Sequence, residues 1–246
     1  MTTDSQTDVA RLTERVRAVM ETVTQTDETF RANYRSGLTT FPIPFFGNLH
    51  TAKVLTIGVN PSAGEFVHRN WPAQMDSASL TQRLLHYFDS PPGPHPWFVP
   101  WIEALALLDI DYRRGEAAHL DLSPRATVSM SAVPNPELFL QMVSQDLRWL
   151  FEFLQECNSA RLLMAAGTVT KRWYLHQFLA SDANHHRLAF QPKPKSSDRC
   201  TLHEVTHTGR KLPLFFSSVS PSDSKRAHLL VENVRKTRDQ LRDYLN

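Results

Sequence analysis

Three polar side chains follow apolar runs of the sequence, and their functional groups could bind a polar ring and direct a water molecule. They are the amide of Asn60, the carboxyl group of Asp121 and the hydroxyl of Ser220. An amide oxygen can accept a hydrogen bond from a water, an ionised carboxylate only accepts, and a hydroxyl can donate. A reaction that uses all three groups requires secondary-structure elements that bring these side chains together.

Four apolar runs separated by helical patterns predict those elements. The runs begin at Val54, Ala117, Arg161 and Leu212, and each ends in small or polar residues. Strands joined through helices pair in parallel, because parallel pairs need long crossover connections. We therefore expect an α/β fold, a three-layer sandwich whose central, mainly parallel four-stranded sheet is flanked by helices. The carboxyl ends of such strands share one rim, where open α/β sheets bind ligands.

Length and composition predict a single domain over residues 1–246, since 41% hydrophobic and 21% charged residues are ordinary for globular proteins. Within it, residues 1–38 are expected to form an N-terminal helical cover and residues 226–245 a C-terminal helix. Leu202–Thr206 and Leu212–Phe216 are expected to pair as a hairpin. Helical patterns also occur at Ser79–Phe88, Ile102–Leu108, Glu137–Glu156 and Val169–Leu179, whereas Gln191–Arg199 is expected to be an exposed basic loop.

Composition also limits the function. The 27 Lys and Arg barely outnumber the 25 Asp and Glu, so the charge permits binding to nucleic acid without requiring it. Cys157 and Cys200 lack the spacing of a disulfide framework or metal site and are expected to be free thiols. The 11 histidines lack an HExxH pattern, so we expect no metal and no cofactor. Without a secretory signal or a membrane-spanning run, we expect a cytoplasmic protein that does not bind membranes.

Short motifs then resemble those of a known family. Gly58–Ser62, read as Gly-Val-Asn-Pro-Ser, resembles the first motif of the uracil-DNA glycosylase superfamily, particularly its mismatch-specific and single-strand-selective branches. Ser220–Ser222, read as Ser-Pro-Ser, resembles the second motif. Between them, Asp121–Pro124 resembles the strand that reads the base, and Leu162–Gly167 resembles the third strand of the family. The likeness covers residues from about 40 to 230, and the shared order is more specific than any single motif.

The resemblance implies a divergent, monofunctional DNA glycosylase that flips a nucleotide out of the stack and hydrolyses its N-glycosidic bond, leaving an abasic site. Asn60 would direct the attacking water, and Gly58 and Pro61 of the same motif would contribute to substrate binding. Ser220 would donate to the pyrimidine O2 where the family usually has histidine, and its neutral hydroxyl would stabilise a leaving anion less. The alternatives are that Asn60 only supports a turn or caps a helix and that the serines only form a Ser-Pro turn.

Asp121 departs from the family, which has asparagine at this position. An ionised carboxylate can accept a hydrogen bond from the amino group of cytosine. It cannot bond to the O4 of uracil, because both groups are acceptors. If burial protonated Asp121, it could also donate to N3. Ser62 stands where the strictest uracil enzymes have a tyrosine that blocks the pyrimidine C5 edge. These departures predict a C5-substituted, cytosine-type base, as in modified virus DNA, and a role in defence against phages. The alternative is that Asp121 is a cap or surface residue.

DNA, single- or double-stranded, is the partner that the resemblance implies, bound by a protein expected to be a monomer. Phe66 or Trp71 would stack on the flipped base, with Phe45 and Phe46 as further candidates. Phosphate contacts are expected from Arg125, Lys225 and Arg226, and further from Arg69, Lys193, Lys195 and Arg199. No apolar wedge follows Ser222, although the family inserts one into the duplex there.

Three other functions compete with this hypothesis. The first is a repair glycosylase that excises uracil. The second is a module that binds modified or damaged DNA without cutting it, since Ser220 replaces the usual histidine. The third is another α/β enzyme acting on a nucleotide or small molecule, because a fold does not determine an activity. The third is disfavoured by the absence of a phosphate-binding loop, a Rossmann fingerprint and a G-x-S-x-G elbow.

Overall fold

A computed structural model of the chain describes residues 3–26, 42–71, 75–126, 136–167, 186–188 and 200–246. Its strands form one seven-stranded sheet in the order β1-β3-β2-β4-β7-β6-β5. Their bounds are β1 (Phe45–Phe46), β2 (Val54–Gly58), β3 (Ala117–Asp121), β4 (Leu162–Ala166), β5 (His186–Leu188), β6 (Cys200–His207) and β7 (Arg210–Ser217).

The four predicted strands form a parallel core. β2 pairs in parallel with β4, and β4 pairs in parallel with β7. β3 runs beside β2 in the same direction, because Val54 N donates to Glu116 O (3.1 Å) at the start and Ser123 N donates to Val59 O (3.0 Å) at the end. Every residue of β2, β3 and β4 is buried, as expected for strands covered on both faces.

The predicted count of four strands is wrong, because β1, β5 and β6 extend the sheet. The predicted hairpin is confirmed: β6 pairs with β7 in antiparallel register, with Leu202 opposite Phe215. β5 pairs with β6 in the same antiparallel manner. The α/β class is therefore correct, whereas the sheet is mixed at the β5 edge.

The helices lie close to the predicted positions. They are α1 (Thr3–Thr26), α2 (Gly64–His68), α3 (Ser77–Leu85), α4 (Val99–Ala106), α5 (Pro136–Glu156) and α6 (Ala227–Asp243). α2 and the short 3-10 helices Pro96–Phe98 and Tyr112–Arg114 were not predicted. Residues 27–38 of the N-terminal cover, the helix at Val169–Leu179 and the loop at Gln191–Arg199 lie outside the described residues.

The chain forms two compact units that alternate along the sequence. The first comprises residues 1–50, 59–93 and 120–158. In it α1 packs against α3 and α5. Phe45 contacts Phe153 with ring centroids 5.4 Å apart, and Phe46 meets the edge of Tyr87 at 4.5 Å. Phe45 and Phe46 are therefore core residues of this unit.

The second unit comprises residues 51–58, 94–119 and 159–246. It holds most of the sheet, and α4 packs against α6. A polar network lies within its core, where Thr56 Oγ1 is 2.8 Å from His119 Nδ1 and 2.5 Å from the Tyr112 hydroxyl. Burial raises the pKa of Tyr112, so this hydroxyl stays protonated and its role is structural.

Two further findings concern the cysteines and the helices. Cys157 and Cys200 are both buried and do not form a disulfide. Among the described residues, no helix combines the length and apolar character that crossing a membrane requires.

Candidate functional site

The amide of Asn60 is held in a fixed orientation just after β2. Its Nδ2 donates to the backbone oxygen of Arg125 at 3.0 Å and to that of Pro61 at 3.2 Å. Asn60 is half-buried. Because both contacts use the nitrogen, they set the direction of Oδ1, which is the acceptor end of the amide.

The segment that anchors Asn60 is itself held by a buried ion pair. Arg125 Nη2 donates to Asp146 Oδ1 at 2.9 Å, Arg125 Nε lies 2.8 Å from Asp146 Oδ2, and both side chains are 2% exposed. Ser123 Oγ donates to Asp146 Oδ2 at 2.7 Å. Burial raises the pKa of Asp146, and the charge of Arg125 opposes that rise. The expectation that Arg125 contacts phosphate is wrong, because its guanidinium lies inside the protein.

Asp121 ends β3 and is buried, with only 6% of its surface exposed. This burial contradicts the alternative that Asp121 is a surface residue. A carboxylate in such a position is expected to have a specific partner, because burying an uncompensated charge is unfavourable. The charge of Asp121 helps to raise the pKa of Glu65.

Glu65 is a candidate that the sequence did not suggest. It lies on α2, five residues after Asn60, and is 3% exposed. The hydroxyl of Tyr87 donates to Glu65 Oε2 at 2.5 Å. Burial raises the pKa of Glu65 to about 7, opposed by the Tyr87 hydrogen bond and the charge of Arg69 and assisted by the charge of Asp121. The only sequence signal was a charged residue between Gly64 and Phe66 in a short, mostly nonpolar segment.

Arg69 is partly exposed and is held beside the same region. Its guanidinium carbon lies 3.9 Å from the centre of the Tyr87 ring. Nη1 donates to the backbone oxygens of Ser90 (3.0 Å) and Pro91 (3.2 Å). These contacts fix the cation beside Glu65 and Tyr87 and favour a structural role over the predicted phosphate contact.

The small and aromatic candidate residues lie within α2 or next to it. Ser62 Oγ accepts a hydrogen bond from Gly64 N at 3.0 Å, so the serine supports the start of the helix. Phe66 is 4% exposed and meets Trp71 edge to face, with centroids 5.6 Å apart. Trp71 is more exposed than Phe66.

The second unit contains the remaining candidates. β2, β4 and β7 are parallel, so Gly58 and Ser217 end their strands at the same edge of the sheet. Beyond β7, the hydroxyls of Ser220 and Ser222 are 2.7 Å apart, and Ser222 N donates to Ser220 Oγ at 3.3 Å. This is the geometry of a Ser-Pro turn, and it also leaves two hydroxyls together at the edge where the strands end.

Lys225 is exposed and Arg226, which precedes α6, is partly exposed. The sequence-predicted residues thus fall into two groups. The first unit holds Asn60, Pro61, Ser62, Phe66, Trp71, Asp121 and Arg125, whereas the second holds Gly58, Ser220, Ser222, Lys225 and Arg226. Lys193, Lys195 and Arg199 lie outside the described residues.

Within the part of the chain that the structure describes, no group of three or more His, Cys, Asp or Glu side chains is arranged to hold a metal ion. No protein-family model matches the chain, and no curated protein matches its sequence.

Proposed function

We propose that the protein is a DNA glycosylase that hydrolyses the N-glycosidic bond of a flipped, cytosine-type pyrimidine and leaves an abasic site. The observation that carries the proposal is that an oriented amide and a buried carboxyl group lie at the ends of two adjacent parallel strands. Asn60 follows β2, and Asp121 is the last residue of β3. A hydrogen bond from Ser123 N to Val59 O joins the two chain segments just beyond these strands.

Asn60 has the role of directing water in this proposal. An amide is not a strong base, but base removal proceeds through an oxocarbenium-like sugar, so little activation of the nucleophile is needed. Positioning alone then contributes to the rate. The anchoring of Nδ2 to Arg125 O supports this role, because it sets the direction of the amide oxygen that would accept from the water.

Asp121 has the role of reading the base. Its carboxylate can accept a hydrogen bond from the exocyclic amino group of cytosine, whereas the O4 of uracil would face it as an acceptor. The burial of Asp121 supports this role, because a hydrogen bond to its carboxyl group is stronger away from bulk water. Uracil excision in repair is the alternative that this choice of base excludes.

Ser220 donates to the pyrimidine O2 in this proposal, and Ser222 binds a flanking phosphate. The small side chain of Ser62 leaves room for a substituent at C5, which would admit hydroxymethylated or glucosylated cytosine. Such bases occur in virus DNA, so a role in defence against phages follows from the substrate. Phe66 or Trp71 would stack on the base, and Lys225 and Arg226 would contact the backbone.

The test is to incubate the protein with DNA carrying uracil, cytosine, hydroxymethylcytosine or glucosylated hydroxymethylcytosine, single- and double-stranded. Released base is identified by mass spectrometry, and abasic sites are detected by alkaline cleavage. We expect release of a modified cytosine. Release of uracil alone would reject the cytosine-type assignment, whereas retarded but intact DNA would show a binding protein.

A protein that binds modified DNA without cutting it is the second candidate function, and Ser220 is the residue that favours it. Its hydroxyl is neutral and is already within hydrogen-bonding distance of Ser222. Both features weaken the stabilisation of a leaving anion relative to a charged donor. A protein with this turn could recognise a modified base and leave the glycosidic bond intact.

A further inference from the structure

Asp146 is a buried carboxylate for which the proposed reaction has as yet no use. It lies on α5 and is 1% exposed, a position in which a charge is stable only with partners. Arg125 Nη2 donates to its Oδ1 at 2.9 Å, Arg125 Nε lies 2.8 Å from its Oδ2, and Ser123 Oγ donates to Oδ2 at 2.7 Å. These donors belong to residues 122–126, the buried segment that follows β3.

The same segment holds the amide of Asn60. Arg125 O accepts the hydrogen bond from Asn60 Nδ2 at 3.0 Å. Within the segment, Arg125 N donates to Ser123 Oγ at 3.2 Å, so the hydroxyl that donates to Asp146 also holds the backbone of Arg125. A continuous path of hydrogen bonds therefore leads from Asp146 through Ser123 and Arg125 to Asn60.

The ion pair supplies direction to this path. Stability alone is a weak reason to bury two charges, because apolar side chains of similar volume often stabilise a fold as well. A guanidinium that meets a carboxylate through two nitrogens is instead held in one orientation. Direction matters to the proposed reaction, since a displacement of about 1 Å in a positioning group can lower a rate about a hundredfold.

We propose that Asp146 and Ser123 are positioning residues, which fix the backbone oxygen of Arg125 and thereby set the direction in which the Asn60 amide holds the attacking water. This inference rests on the proposed function. Because both side chains are buried, they act on the reaction through Asn60 and not by contact with DNA. Loss of either side chain should therefore slow base release without weakening DNA binding.

The test measures single-turnover release of the modified cytosine and DNA affinity for the wild type, Ser123→Ala, Asn60→Ala and the double variant. Ser123→Ala removes the hydroxyl but keeps the ion pair, and it should lower the rate at least about tenfold at unchanged DNA affinity. In the Asn60→Ala background it should lower the rate no further, because the amide that it positions is absent. Asp146→Asn should slow release as well. Ser123→Ala is the deciding variant, because Asp146→Asn also removes the counter-ion of Arg125 and destabilises the fold.

A matched control and a measurement that needs no activity complete the test. Thr13 is buried in α1 of the same unit, and its hydroxyl donates to Val9 O at 2.8 Å, so Thr13→Val should retain the wild-type rate. Hydrogen exchange of the Asn60 side-chain amide is followed by NMR. It should be about threefold faster or more in Ser123→Ala than in the wild type or Thr13→Val, because the hydrogen bond to Arg125 O is weakened.

The outcomes separate the two proposals. If the wild type releases no base from any of the DNAs, the proposed function fails, and the effect of Asp146 and Ser123 on its rate fails with it. If the wild type releases base and Ser123→Ala lowers the rate equally with and without the Asn60 amide, only the positioning role is rejected. Unchanged exchange of the Asn60 amide in Ser123→Ala would also reject that role, whether or not the protein is active.

Discussion

At the scale of single residues, the account depends on side chains whose surroundings decide their chemistry. Asn60 and Asp121 were found from the sequence because each follows an apolar strand and belongs to a motif. Glu65 was missed because its burial results from packing against Tyr87, a residue 22 positions away. A sequence places a charged residue on a helix, but only the fold determines whether that charge meets water.

Glu65→Gln is expected to stabilise the protein at high pH. Glu65 ionises near pH 4.5 when unfolded and near pH 7 when folded, so wild-type stability falls as the pH rises through this window. The difference of 2.5 between 7 and 4.5 corresponds to about 3 kcal/mol, which is the order of the stabilisation expected from Glu65→Gln above pH 7. Urea unfolding at pH 4.5 and pH 8 measures the stability difference between wild type and variant. The control is Glu103→Gln, because Glu103 is exposed. Equal stabilities of Glu65→Gln and wild type at pH 8 would refute the assigned burial.

Asp121→Asn is expected to change the preferred base. An asparagine amide can donate to uracil O4 and accept from N3-H, so release of uracil should appear while release of the cytosine-type base is lost. An oligonucleotide that carries both bases measures the ratio of uracil release to release of the cytosine-type base directly. A variant that loses activity on cytosine without gaining any on uracil would argue that Asp121 has another role.

At the scale of elements, the sequence was informative wherever a pattern repeats over many residues. The four parallel strands, the β6/β7 hairpin and the helices α5 and α6 lie within a few residues of their predicted bounds, and α1 covers the described part of the predicted N-terminal helical cover. β1 has two residues in a proline-bearing segment and α2 has five, too few for a periodic pattern to show. The added strands at the sheet edges therefore could not be read from the sequence.

Arg125 illustrates why a local signal can mislead. A basic residue after a strand turn looks like a phosphate contact, but its partner Asp146 lies 21 residues away on α5. Helical periodicity predicts α5, and Asp146 falls on its buried side. The pairing of the two charges depends on tertiary packing and is not apparent from either segment alone.

Arg125→Met is expected to destabilise the protein by about 3–5 kcal/mol, because it leaves the charge of Asp146 buried without its partner. The matched control is Lys211→Met, which breaks the exposed ion pair with Glu204 (2.9 Å) and should cost about 1 kcal/mol or less. Denaturant unfolding of both variants provides the comparison. Similar losses from the two would contradict the assignment of Arg125 to the core.

At the scale of the whole molecule, a net charge of +2 makes the proposed DNA binding depend on a local group of basic residues. Lys225→Ala combined with Arg226→Ala should reduce the slope of log affinity against log salt by about 2. Lys53→Ala is the control, because Lys53 precedes β2 and therefore lies at the edge of the sheet opposite to the end at Gly58. An unchanged slope in the double variant would exclude these residues from the DNA interface.

The central claim is that an amide held at the end of β2 directs water to the sugar of a modified deoxycytidine. The most direct measurement compares abasic sites formed in DNA containing glucosylated hydroxymethylcytosine by the wild type and by Asn60→Ala. The account predicts abasic sites with the wild type and a rate at least about a hundredfold lower with Asn60→Ala at equal DNA affinity. Equal rates for the two proteins, or intact DNA with the wild type, would contradict it.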